Sequence, residues 1–138
     1  MLELCEIRQS LEALAAGRAA RTVGRATLTT LEQAIAQMQM LSRWREPTRE
    51  QRFHDADVAF HEGMAMASGS KLLAFVLGGF EQSLRRSFAA SYKGYFARGD
   101  SFDEVVDAHR AVLQAVRDRD VGGAEKAMRS HLSPGSAV

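Results

Sequence analysis

Apolar residues recur along this chain at alternating steps of three and four, the spacing that gathers them on one side of an α-helix. Leu4, Ile7, Leu11 and Leu14 predict a first helix over residues 2 to 20, with Val23-Gly24 as its stop. Thr29 with Glu32 has the form of a capping box, and Leu31, Ile35 and Met38 follow at helical spacing, so a second helix ends near Leu41 to Trp44. Pro47 closes the gap, and Thr48 with Gln51 repeats the capping pattern. A third helix from about Arg49 then carries Phe53, Asp57, Phe60, His61 and Met64 on one stripe, and Ser68-Gly69-Ser70 ends it.

A fourth helix is predicted from Lys71 through Leu73, Leu77, Phe80 and Leu84. It contains Gly78-Gly79, and two glycines inside an apolar stripe point to a close backbone neighbour or a pocket. Ser91 to Asp100 reads as a loop or a frayed helix end. Ser101 with Glu104 gives a third capping box, ahead of a helix presenting Val105, Val106, His109, Val112, Leu113 and Val116. Asp120 suits the N-cap of a last helix with Ala124, Ala127, Met128 and His131, and Ser133-Pro134-Gly135-Ser136 ends it. With no β pattern and no repeat, the expected fold is one all-α bundle of about six helices over residues 1–133, with a flexible tail at 134–138.

Composition narrows the possible functions. At 138 residues, 46% hydrophobic and 25% charged, the chain suits one soluble domain. Its 18 Lys and Arg are balanced by 17 Asp and Glu, so this segment alone lacks the basic excess that DNA binding requires. One cysteine, Cys5, excludes an internal disulfide and fits a reducing compartment. The acidic start, Met1-Leu2-Glu3-Leu4-Cys5-Glu6, is unlike a signal peptide, and no apolar run reaches the ~18 residues of a membrane span. A cytoplasmic protein is expected.

The chemistry lies on the inward stripes. Asp57 and His61 stand one helical turn apart, their Cβ atoms roughly 6 Å from each other. His109 and His131 lie on the apolar faces of two further helices. A buried carboxylate is costly without a partner. One solution is a core hydrogen-bond network in which Asp57 pairs with a histidine or Arg8. The other is a metal: three imidazoles and one carboxylate suit Zn²⁺, Ni²⁺, Fe²⁺ or Mn²⁺ and do not suit Ca²⁺. His54 is ~10 Å along the helix axis from His61, too far to share one ion, and is expected to be exposed or to sit behind a ligand. Arg8, among Leu4, Leu11 and Ala15, can clamp a carboxylate ligand or pair with Glu12.

These residues, taken in order, resemble a known family. Glu3, Arg8 and Glu12-Ala13-Leu14-Ala15-Ala16, then Asp57-Val58-Ala59-Phe60-His61, Ala65-Met66-Ala67-Ser68-Gly69, Ala108-His109-Arg110-Ala111-Val112-Leu113, and Ala124-Glu125-Lys126-Ala127-Met128-Arg129-Ser130-His131-Leu132 are similar to the FCD effector-binding domain. That domain is the carboxy-terminal half of the FadR branch of GntR-type bacterial transcriptional regulators. The resemblance implies an antiparallel helical bundle with an internal pocket, and a divalent transition metal on Asp57, His61, His109 and His131. It implies a small organic or sugar acid bound to the metal through its carboxylate, with Arg8 as a second anchor, and a homodimer. DNA would be read only through a winged helix-turn-helix, which is absent from this chain. Ser70 stands where the family commonly has Asn. The rival readings are a metal-dependent hydrolase, with Glu62 or Glu104 as base, and a dimerisation module with a structural metal.

Overall fold

Helices form where the stripes predict them, and a computed structural model describes residues 2–43, 47–83, 85–86 and 102–132. Among these the delimited helices are α1 (Leu2–Thr22), α2 (Arg25–Arg43), α3 (Arg49–Ala67), α4 (Lys71–Gly78), α5 (Asp103–Arg117) and α6 (Val121–His131), and no strand occurs. The fold is all-α. α2 packs on α3 and α5, while α1 lies chiefly against α6 and also touches α3, α4 and α5. The core is built from Leu31, Met38 and Leu41 of α2, Phe53, Phe60 and Met64 of α3, the valines of α5, and Met128 of α6. No described helix is long and apolar enough to cross a membrane.

Local chemistry sets several boundaries. Gly69 adopts φ 72° after α3, the left-handed turn for which glycine is suited. Ser70 then caps α4: its Oγ accepts from Leu73 N at 3.1 Å. The serine therefore does the capping work that an Asn would do at this position, and Ser70→Ala should cost about 1 kcal/mol of stability in a denaturant titration. A change below a few tenths of a kcal/mol would contradict the capping role. Asp120 likewise caps α6, accepting from Gly123 N at 2.9 Å.

Four details depart from the sequence pattern. In α1 the large residues Ile7 and Leu14 are exposed, and the buried face is Arg8, Glu12, Ala13, Ala15, Ala16, Ala19 and Ala20. Small residues let α1 approach its neighbours closely, so the alanine stripe wins over the leucine one. α2 starts four residues before Thr29, whose hydroxyl donates back to Arg25 O at 3.1 Å instead of capping. Thr48 precedes α3 without a side-chain cap bond, and Gln51 donates to Asp55 Oδ1. α4 stops at Gly78 and does not run through Phe80, because the Gly78-Gly79 pair weakens the helix; residues 81–83 are helical again. Trp44, Leu84, Ser91 to Asp100, Ser101 and Ser133 to Ser136 lie outside the described residues.

Candidate metal centre

α3, α5 and α6 bring Asp57, His61, His109 and His131 together in the core, all four buried. One ligand atom from each lies within 4.8 Å of the other three, so the group could hold a metal ion. His109 Nε2 is 2.8 Å and His61 Nε2 is 3.2 Å from Asp57 Oδ1, and His131 Nε2 is 3.4 Å from His61 Nε2. Phe60, fully buried, sets its ring edge-on to His109 at 4.9 Å between centroids and so fixes that imidazole from the side.

The hydrogen bonds on the far side of each ring decide which nitrogen faces the cluster. His109 Nδ1–H donates to Val105 O at 2.7 Å, and a carbonyl can only accept. His61 Nδ1–H donates to Glu12 Oε1 at 2.5 Å. Both rings therefore turn Nε2 inward, and on both Nε2 meets an acceptor, Asp57 Oδ1. Such a contact needs a positive charge between its partners, either a proton or one cation shared by both rings. The donor set fits this, since anchored imidazoles whose outer N–H is bonded to a carboxylate or a carbonyl are the usual companions of a bound metal.

The electrostatics agree. Burial alone would lower the pKa of His61, but Glu12 and Asp57 outweigh it and push it up to about 9. Burial would raise the Asp57 carboxyl, yet His109 and His61 hold it well below the usual carboxylate range. His131 is pushed well below the ordinary histidine range, first by burial and then by His109 and His61, so it is neutral with a lone pair to offer. Glu12 is held below its ordinary value because His61 and Arg8 overcome its desolvation.

The sequence offers Glu12 as a partner for Arg8, but its bond to His61 is hidden when the first helix's leucines are counted as the inner face. The signal was present: Arg8 and Glu12 are spaced i, i+4, with alanines on both sides. The structure gives both readings of Arg8 a footing. Arg8 Nε donates to Glu12 Oε2 at 2.9 Å, and Arg8 also lines a cavity of about 470 Å³ whose wall includes Glu12 and His61. His54 is buried, not exposed, and stays outside the four-residue group, as the axial distance requires; burial lowers its pKa. Of the two candidate bases for hydrolysis, Glu104 is exposed in the first turn of α5 and does not line that cavity, whereas Glu62 is exposed and does.

A family model for the FCD domain matches residues 3–134. The chain belongs to the FCD domain family. This FCD domain is 36% identical over 78 residues to a protein of Escherichia coli K12 named as an L-lactate dehydrogenase operon regulatory protein, and equally to its counterpart in Shigella flexneri. Each match spans 56% of the chain and 30% of the relative's length. Among solved structures, GntR of Streptococcus agalactiae superposes with a TM-score of 0.74 at 23% identity, over 94% of this FCD domain and 55% of that chain. McbR/YncC of E. coli gives 0.75 at 18% identity, over 94% and 62%. Both share the helical fold.

Proposed function

We propose that this FCD domain is a sensor in which Asp57, His61, His109 and His131 hold a divalent transition metal and a small carboxylate effector binds beside it. The observation that carries the reading is the pair of inward-facing Nε2 atoms, on His61 and His109, set against one Asp57 oxygen with their outer nitrogens already engaged. Zn²⁺, Ni²⁺, Fe²⁺ and Mn²⁺ accept three imidazoles and a carboxylate, and when bound such an ion offers an open position to an anionic oxygen. Arg8 adds a guanidinium at the cavity wall, next to His61. Glu12 keeps the His61 ring oriented from behind and holds Arg8 in place with its other oxygen. The regulatory names of the two relatives support a sensing role over a catalytic one.

The effector signal needs two arrangements of the bundle that bind the acid differently. α1 is the natural carrier, since Arg8 and Glu12 tie it to the site while it packs against α6. The direct test is calorimetric titration of the Zn²⁺-loaded and the chelator-treated protein with acetate, the bare head group. Acetate should bind the loaded form at least tenfold more tightly. Equal binding to both forms would remove the metal from the reading.

A further inference from the structure

The 470 Å³ cavity beside the metal group is of the size that takes a whole organic ligand, well beyond the needs of a head group. Its polar end is Arg8, Glu12 and His61. Among the described residues, one side of the wall is hydrocarbon: Ala65 of α3, Ala74 and Leu77 of α4, and Phe80 just beyond. Leu77, with Ala74 and Phe80, belongs to a small apolar cluster that includes Ala65. Hydroxyl groups carried into that part of the cavity lose water and find no side-chain partner on those four residues, which weakens binding. The carboxylates of Glu62 and Glu81 also line the wall, with Lys71 the one ammonium among the described lining residues and Arg85 paired to Glu81 at 3.3 Å, so a second anionic group on the ligand meets like charge chiefly at Glu62.

We propose that the effector is a monocarboxylate with an apolar body, a medium-chain or aromatic acid, and not a sugar acid or a dicarboxylate. The carboxylate sits at the Arg8 and His61 end and the body lies along Ala65, Ala74, Leu77 and Phe80. This rests on the reading that the head group binds beside the metal, and it adds what the remainder of the cavity selects.

The test is calorimetric titration of the Zn²⁺-loaded chain with acetate, octanoate, suberate and gluconate. Each methylene buried is worth up to about fourfold in affinity, so octanoate should bind at least about 100-fold more tightly than acetate. Suberate, of the same length with a second carboxylate, and gluconate should both stay within about tenfold of acetate. Gluconate or suberate matching octanoate overturns the proposal, as does octanoate no better than acetate. A preference for octanoate that persists unchanged after chelation supports the apolar body while overturning the metal reading. A gluconate preference that disappears on chelation does the reverse. Two substitutions outside the metal group sharpen the result. Ala74→Asp should weaken octanoate at least tenfold more than it weakens acetate. Glu62→Gln should strengthen suberate at least threefold relative to octanoate. Loss of octanoate no greater than that of acetate in the first variant overturns the placement of the apolar body, and no relative gain for suberate in the second overturns the exclusion of dicarboxylates.

Discussion

Asp57→Ala and His109→Ala should each reduce bound metal from about one equivalent to less than a tenth, as measured by elemental analysis of protein loaded with Zn²⁺ and desalted. Asp57 Oδ1 meets Nε2 of both His61 and His109, so replacing Asp57 removes the carboxylate that holds the two imidazoles. His109→Ala removes a ring that both Asp57 and Phe60 hold in place. Stability separates this from a core network without metal. With ligand at 100 times its dissociation constant, metal binding adds about 2.7 kcal/mol, which for a domain of this size raises the melting temperature by about 10 °C. The wild type should show that rise on adding Zn²⁺, and neither variant should. A purely structural network predicts the opposite pattern: no response to Zn²⁺ in the wild type, and variants that differ from it only by being less stable. Retention of stoichiometric metal in either variant would refute the assignment of that ligand.

Metal affinity should rise with pH, by about 100-fold between pH 6 and pH 8. In the metal-free state His61 has a pKa of about 9, because Glu12 and Asp57 overcome the burial that would lower it. Its proton is therefore present throughout that interval and must leave Nε2 before a metal can bind there, at a cost of tenfold in affinity for each pH unit below 9. Asp57 makes no such demand, since its carboxyl is held ionised, and His131 is already neutral. The sign for stability runs the other way. A histidine whose folded pKa lies above its unfolded value of about 6.5 stabilises the metal-free fold fully below that unfolded value and loses the contribution as pH rises through 9. Metal and proton thus compete for one place, and adding Zn²⁺ should flatten the alkaline loss of stability. Competition titrations against a chromophoric chelator at pH 6, 7 and 8 measure the slope, and a flat profile would contradict the histidine's protonated state.

The candidate ligand cluster was readable because its residues break a rule. His61, His109, His131 and Asp57 are polar groups on otherwise apolar stripes, and α5 in particular buries each residue that its pattern marks, from Val105 to Val116. The first helix defeated the same reading. Its leucines and isoleucine hold a regular spacing, yet Ile7 is 43% and Leu14 51% exposed, while Ala16, Ala19 and Ala20 are sealed. Hydrophobic patterning weights bulk, and a tight helix contact rewards its absence. That error concealed the contact between Glu12 and His61, 49 residues apart in the chain and bonded in the fold. Capping boxes were weak guides, because Thr29 lies inside α2 and bonds back to its own turn. His54 shows the limit of axial spacing, which keeps it away from the four candidate ligands and says nothing of its burial.

The group has a consequence for folding, through the long stretches of chain between its members. Asp57 and His109 are 52 residues apart, and His61 and His131 are 70. One ion bridging them would act as a reversible cross-link across three helices, closing loops that the unfolded chain closes only at an entropic cost. No one of α3, α5 or α6 could fray without releasing its grip, so the loaded bundle should open as a unit where the metal-free one can open helix by helix. The same ion that would present a coordination site to an acid would also set how cooperatively the chain comes apart.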